Sequence, residues 1–483
     1  MSTENIIFTG VAIYMLGMLG VGFYASKRSH SVTDFMVAGR NLPLPVLSMT
    51  VMATWFGGAM MLGGAGAAYD HGMLGVIADP WGGALALFLI GLFFARVFRR
   101  MRIITVADFM EQRFGKIAGI GITITTVVSN IMWVAGTLVA FGVIFDSLTN
   151  IPFENGIIFG AIVVFAYTML GGMWAVALTD FVQMVIIIAG LIILMTVVLI
   201  DVGGWSAMAP QLPENTFRMV PLENTGEEWL NYFRAWTIIG LVDISAQSLF
   251  QRIAAAKNER IAQYSFYVGG TGYLIFGMVA VMLGIIGSVT MPDIANSEFI
   301  VPELAKIHLH PVAIAVFVGA MLAAIMSSAD SALLAASSVV AKNALPYFRH
   351  DPSPKLTLLI TRLAILIFGG IAILIALRIQ VVFDLMVDAN ILGLAVIIVP
   401  FILGVWWTKA NRAGALSGMA AGLITWLTTM SLWPNLPSDF MGLAACLVVM
   451  LVVTPLTQKI DPPRGLKDEE GNAIEIGDRL GTL

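Results

Sequence analysis

The sequence is poor in charge, cysteine and histidine. Only 12% of its 483 residues are charged, whereas soluble domains carry about 25%. The single cysteine, Cys446, excludes a disulfide framework, and the five scattered histidines lack the spacing of metal ligands. A soluble enzyme and a disulfide-rich secreted domain are therefore both poor interpretations.

Apolar residues make up 58% of the chain, and its mean hydropathy is +0.90. A spanning helix needs about 20 mostly apolar residues. The predicted spans are 6–26, 44–69, 74–97, 118–146, 155–172, 174–200, 229–255, 263–290, 309–341, 357–377, 380–404, 412–433 and 439–457. The opening "MSTENIIFTG" has no basic region, which favours a first spanning helix over a cleaved signal.

This pattern predicts an all-α polytopic membrane protein with about 13 transmembrane helices. We expect one transmembrane domain over residues 1–460 and a short polar cytoplasmic tail over 461–483, with little fold of its own.

Most of the 26 Lys and Arg fall in alternate loops, beginning after the first span. Arg252, Lys257 and Arg260 are assigned to one of these loops. Because cytoplasmic loops carry the excess of basic residues, the N-terminus is predicted outside the cell inner (plasma) membrane and the C-terminus in the cytoplasm.

Spans two to six and seven to eleven can be read as two five-helix halves, which have opposite topology because five is odd. The second span contains five glycines in "MATWFGGAMMLGGAG". Glycines here either break the helix and open its backbone carbonyls or allow close helix packing. Both interpretations remain open at this stage.

Three aspartates, Asp180, Asp243 and Asp330, fall within predicted spans. A carboxylate at bilayer depth costs roughly 2.5–3.5 kcal/mol on insertion scales. In "AAIMSSADSALLAASS", Ser327, Asp330 and Ser331 share one helix face. These hard oxygen donors favour an alkali-cation or proton site, while serines that merely bond back to the preceding turn are the alternative.

Two tryptophans lie close to these features. Trp55 precedes Gly57 in the glycine-rich segment, and Trp133 lies in the middle of the fourth span. An indole face beside a helix break can hold a cationic group by a cation–π interaction. Ordinary packing is the alternative.

Three segments resemble the sodium/solute symporter family: "YTMLGGMWAVALTDFVQ" (167–183), "AQSLFQRIAAAKN" (246–258) and "AAIMSSADSALLAASSVVAKN" (323–343). Within it, "MTVMATWFGGAMMLG" and "MSSADS" are most similar to the high-affinity choline transporter branch. The resemblance implies a LeuT-type fold, a 5+5 inverted repeat with one leading and two trailing helices.

The resemblance also implies a co-transported Na⁺. Carried over position by position, its ligands are the backbone carbonyls of Ala53, Phe56 and Ala324 and the hydroxyls of Ser327 and Ser328. A second cation or proton site would consist of Asp180, Ser327, Asp330 and Ser331.

The expected substrate-binding residues are Trp55, Gly57, Trp133, Asp243 and Gln247. Trp55 and Trp133 match positions of the aromatic cage found in the choline branch. The third cage position holds Ala246, so the cage is incomplete, and Asp243 or Gln247 is the candidate to contact the ligand instead.

The function implied is Na⁺-coupled import of a small organic solute by alternating access, with a cationic or zwitterionic solute, choline-like or betaine-like, as one candidate. The alternative is H⁺- or Na⁺-coupled uptake of an amino acid or a monocarboxylate. An integral membrane enzyme is remote, because the serines lack a nearby histidine base and no catalytic residue is apparent. The expected partners are the solute and membrane lipid, without nucleic acid, and the sequence leaves the oligomeric state open.

Overall fold

The computed structural model describes residues 3–149, 151–379, 390–433 and 435–475. Within these ranges the protein is built from helices and connecting turns, with isolated β-bridges but no β-sheet. In chain order the α-helices are α1 (Thr3–Ser26), α2 (Val32–Val37), α3 (Leu44–Ala53), α4 (Ala65–Gly75), α5 (Gly83–Phe93), α6 (Ala95–Met101), α7 (Val106–Phe114), α8 (Lys116–Thr149), α9 (Phe153–Asp201), α10 (Trp205–Met208), α11 (Gly226–Gly240), α12 (Gln247–Ala255), α13 (Glu259–Thr290), α14 (Ile300–His308), α15 (Pro311–Val339), α16 (Leu345–Phe348), α17 (Pro354–Ala376), α18 (Ile398–Trp406), α19 (Arg412–Leu432) and α20 (Ser438–Thr457).

Eight of the described helical segments are individually long and apolar enough to cross a membrane. The longest, α9, has 49 residues and would be roughly 73 Å long if straight, more than twice the hydrocarbon thickness. It is divided at Gly172, where φ is +54°. A Cβ there would overlap the carbonyl of Phe35, so only glycine fits the turn. This is the turn predicted between spans five and six.

The second predicted span is broken. α3 ends at Ala53, residues 54–57 are not helical, and the chain resumes as a π-helical segment, Ala59–Gly64, that continues into α4. Of the two interpretations of the glycine-rich segment, the structure therefore supports the break. The next helical stretch, Ile77–Phe93, is bent by 79° from the Ala59–Gly75 stretch and forms the third span.

The seventh predicted span is broken as well. α11 and α12 are separated by a 3-10 turn, Val242–Ser245, and by Ala246 in an extended conformation. Each of the thirteen predicted spans has a helical counterpart in the described residues, although residues 380–389 of the eleventh lie outside them.

The two broken spans are joined by main-chain hydrogen bonds. The amide of Leu42, just before α3, donates to the carbonyl of Ala255 at 3.0 Å, and the amide of Lys257 donates to the carbonyl of Leu42 at 3.2 Å. This parallel bridge ties the start of α3 to the end of α12.

The core runs along α15, which is buried over almost its whole length and packs against α1, α8 and α9. Its many alanines and serines, together with Gly319, allow these helices to approach closely. α15 therefore carries its polar side chains into the centre of the bundle.

Two of the predicted basic loops meet where Arg99 of α6 donates to the carbonyls of Ala256 and Lys257 in the connection between α12 and α13. We call this the basic end. The tail is more ordered than the sequence suggests: Leu466 and Ile474 are buried, and the Ile474 amide donates to the Leu466 carbonyl at 2.9 Å. The predicted domain boundary at residue 460 stays a prediction.

Candidate ion and solute site

The serine pair of α15 faces the break between α3 and α4. The Ser327 hydroxyl lies 3.0 Å from the carbonyl oxygen of Ala53 and 2.9 Å from that of Ala324. The Ser328 hydroxyl lies 3.4 Å from the same Ala324 oxygen. Four of the five residues predicted to bind Na⁺ are thus brought together.

The unwound backbone lies directly beside this cluster. Gly57 lies against Ser328, since a Cβ on Gly57 would overlap the serine hydroxyl. Phe56, the fifth predicted ligand, precedes Gly57 in the same segment, and its ring packs edge-on against Tyr273 with centroids 5.7 Å apart.

The oxygen spacing suits a small hard cation. Ca²⁺, which Na⁺ closely matches in radius, binds oxygen at about 2.3–2.6 Å. Oxygens 2.9–3.4 Å apart would subtend roughly 70–95° at such an ion, as neighbouring ligands of a six-coordinate shell do. The donors are hydroxyl and carbonyl oxygens, which soft metals disfavour.

A second polar cluster is buried nearby on α9, α12 and α15. One oxygen of Asp180 accepts a hydrogen bond from the Thr50 hydroxyl and lies 3.4 Å from a guanidinium nitrogen of Arg252. That nitrogen also lies 2.5 Å from the Ser331 hydroxyl. Asp180 and Arg252 are both fully buried.

Asp330 belongs to the same network. Tyr167 donates to one of its oxygens at 2.6 Å, and the Ser331 hydroxyl lies 3.1 Å from the other. The Ser331 hydroxyl also lies 2.7 Å from the carbonyl oxygen of Ser327. All four residues predicted for a second site, Asp180, Ser327, Asp330 and Ser331, are therefore linked.

The prediction that Arg252 lies in a basic loop is wrong. Arg252 belongs to α12, and its guanidinium stands between Asp180 and Ser331. Helical spacing could have revealed this position, because Ser248 and Arg252 are four residues apart and therefore share one face of a helix. In the structure the Arg252 guanidinium donates to the Ser248 carbonyl at 3.1 Å. The polar face of α12 points into the core, whereas the side chain of a loop residue would face water.

Most of the predicted substrate residues line one cavity of about 90 Å³. Trp55, Trp133, Asp243 and Gln247 face it together with Ser328. The Gln247 amide is already engaged, because its oxygen accepts from the Val106 amide at 2.8 Å. Gly57 contacts Ser328 and is absent from the lining of this inner cavity.

A second cavity of about 290 Å³ is lined mainly by Ala59–Gly75 and α11, the halves of the two broken spans that the Leu42 bridge does not join. It is largely apolar, with Asp79 and Arg234 as its charged lining residues. Arg234 is paired with the buried carboxylate of Asp439 at 2.8 Å. Trp133 and Asn390 line both cavities, so they separate this outer cavity from the inner one.

The family pattern described as the sodium:solute symporter family matches residues 35–422, which include both breaks and the polar face of α15. The chain belongs to the sodium:solute symporter family. The predicted family is confirmed, and with it a multi-pass membrane transporter as the general class.

Relatives within this symporter family differ in the solute named for them. The chain is 31% identical over 444 residues to the human high affinity choline transporter 1, covering 86% of this chain and 76% of that one. It is 28% identical over 483 residues to the high-affinity proline transporter PutP of Bacillus subtilis, covering 94% and 98%.

A solved structure supports the fold. A Na⁺-coupled sialic acid symporter, described as substrate-bound and outward-open, matches with a TM-score of 0.82 at 20% identity, covering 93% of this chain and 98% of that one. The all-α, LeuT-type symporter fold predicted from the sequence is thereby confirmed.

Proposed function

We propose that this protein is a Na⁺-coupled symporter that imports a small organic solute by alternating access. The observation that carries the proposal is the meeting of the Ser327 hydroxyl with the Ala53 carbonyl at the helix break. Unwound carbonyls and hydroxyls at the middle of a broken span are the ligands that Na⁺ uses in carriers of this fold.

The lining of the inner cavity favours a cationic or zwitterionic solute. Among the residues that the structure describes, Asp243 is the only acidic residue in its lining, no Lys or Arg lines it, and two indole rings face it. A cation desolvated beside an indole face gains about 2 kcal/mol. Because Ala246 replaces the third tryptophan of the choline cage, Asp243 supplies the compensating negative charge.

The two cavities suggest the transport path. Solute enters the outer cavity, passes Trp133 and Asn390, and reaches the inner cavity beside the Na⁺ ligands. Since Ser328 lines the inner cavity and contacts Gly57, solute and ion act on the same segment. Each then raises the affinity for the other, as linkage requires.

The proposed orientation follows from the basic residues. The basic end faces the cytoplasm of the plasma (inner) membrane, and the N-terminus lies outside. The outer cavity then opens toward the medium from which solute is taken.

H⁺-coupled or Na⁺-coupled uptake of an amino acid or monocarboxylate is the second candidate. The Asp330 carboxylate, held by Tyr167 and Ser331, is placed to accept a proton. A buried carboxylate in a transporter core is a common proton carrier, and one relative named above is a proline transporter.

The test is a thermal-stability screen of the purified protein against choline, betaine, proline and pyruvate, each in NaCl and in KCl. A bound ligand stabilises the folded state by about 2.7 kcal/mol at 100 times its Kd. We expect stabilisation by a cationic or zwitterionic solute in NaCl only, and Ser328→Ala should remove the Na⁺ effect. Equal stabilisation in KCl would contradict Na⁺ coupling.

A further inference from the structure

The basic end carries a cavity of about 600 Å³ that is separate from the transport path. We call it the arginine cavity. Its basic lining residues are Arg96, Arg99, Arg100, Arg102, Lys257 and Arg260. Its acidic lining residues are Glu259, Asp468, Glu469 and Glu470.

Several of these guanidinium groups are held in fixed positions. Arg99 donates from Nε to the carbonyl of Ala256 at 2.7 Å and from Nη2 to that of Lys257 at 3.1 Å. Arg96 donates from Nε to the side-chain oxygen of Gln263 at 2.7 Å. Donors fixed before a ligand arrives lose less entropy when it binds.

The tail supplies three of the four carboxylates. Leu466 and Ile474 anchor it, and between them Asp468 accepts hydrogen bonds from the amide and side chain of Asn472 at 2.8 and 3.0 Å. This turn presents Glu469 to Arg102, with which it forms an ion pair.

Positive charge remains in excess around the cavity. Glu259 pairs with Arg100 at 2.8 Å, whereas Lys257 and Arg260 form no ion pair with any residue the structure describes. Burial, together with Arg99 and Arg102, lowers the pKa of the neighbouring Arg40 to about 10. Burial first, and then the two neighbouring guanidinium groups, disfavour the charged form of Arg40.

We propose that the arginine cavity binds a phosphate-type anion, and that the acidic turn 468–470 is a tethered competitor for the same arginines. The planar guanidinium fork matches phosphate oxygens in pairs. Two sources carry this chemistry: the headgroup of an anionic lipid, which basic clusters at the cytoplasmic face attract, and a soluble phosphate compound.

The test compares anion binding by the full chain and by Glu469→Gln/Glu470→Gln in phosphatidylcholine nanodiscs. Phosphatidylglycerol is added to the discs in one arm, with bound lipid counted by native mass spectrometry. Pyrophosphate is titrated calorimetrically in the other. Each carboxylate removed should raise affinity about fivefold.

Glu475→Gln is the matched control, because Glu475 is an exposed tail carboxylate that does not line the cavity. It should leave affinity unchanged. Arg100→Gln/Arg102→Gln should weaken binding, whereas Lys409→Gln, exposed elsewhere on the molecule, should not.

A gain confined to phosphatidylglycerol identifies a lipid headgroup as the ligand, and a gain confined to pyrophosphate identifies a soluble one. Affinity in Glu469→Gln/Glu470→Gln equal to that of Glu475→Gln in both arms overturns the proposal. The glutamate variants keep the test decisive if the arginine variants fail to fold.

Discussion

Gly57 lies directly against the hydroxyl of Ser328. A Cβ at position 57 would overlap that oxygen and come within 3.3 Å of the Ala324 carbonyl oxygen. The break in the second span and the serine pair of α15 therefore meet with no room for a side chain between them.

Gly57→Ala should raise the Na⁺ concentration for half-maximal uptake about tenfold, because the new methyl group displaces the Ser328 hydroxyl. A hydrogen-bond partner of a charged group is worth about 1.5–3 kcal/mol. Ser328→Ala should have a similar effect, and the double variant should lose less than the sum.

The matched control is Gly17→Ala in α1, where a Cβ would meet nothing within 4 Å. Radiolabelled uptake measured against Na⁺ concentration gives the answer. Unchanged Na⁺ activation in both Gly57→Ala and Ser328→Ala would count against the proposed ion site.

Arg252→Met should destabilise the fold by about 3–5 kcal/mol, because it leaves the Asp180 carboxylate buried without its cation. Asp180→Asn/Arg252→Met should recover much of that loss, since both charges are then gone. Thermal unfolding in detergent measures the effect, with the exposed Arg260→Met as control. A double variant no more stable than Arg252→Met would show that the pairing is unimportant.

Asp330→Asn should change the number of cations carried per solute or flatten the pH dependence of uptake. Tyr167→Phe should have a weaker effect, because it removes one hydrogen bond at 2.6 Å and keeps the carboxylate. The readouts are ion-to-solute stoichiometry in proteoliposomes and uptake against pH. If Asp330→Asn alters neither, Asp330 has only a packing role.

Trp55→Ala should raise the KM for a cationic solute about thirtyfold, corresponding to the ~2 kcal/mol of a desolvated cation–π contact, with a smaller change for Trp55→Phe. The control is Trp433→Ala, because that indole is 55% exposed at a helix end. Equal KM values for Trp55→Ala and the unmodified protein would exclude the indole from solute binding.

Much of the architecture could be predicted from the sequence, because a span is marked by its own run of apolar residues and a turn by its own glycines. A run of apolar residues marks a span wherever it lies, and the turn at Gly172 follows from two adjacent glycines between two such runs. The motif in residues 323–343 placed the predicted ion ligands on α15, and the structure brings Ser327 beside the carbonyl of Ala53 at the helix break.

Arg252 shows what local patterns miss. Its position in "FQRIAAAKN" resembles a basic loop, but α12 continues to Ala255 and turns that arginine inward. Whether a charge faces water or a partner depends on residues distant in sequence, here Asp180 and Ser331. The burial of Leu466 and Ile474 could not be predicted for the same reason, since the residues around them are distant in sequence.

The bridge between Leu42 and the end of α12 has a mechanical consequence. Two main-chain hydrogen bonds join α3, one half of the second span, to α12, one half of the seventh span. A displacement of α3 without α12 must break both hydrogen bonds. We therefore expect the two half-helices to move together, so that a displacement of α3 that parts Ala53 from Ser327 would also pull Arg252 away from Ser331.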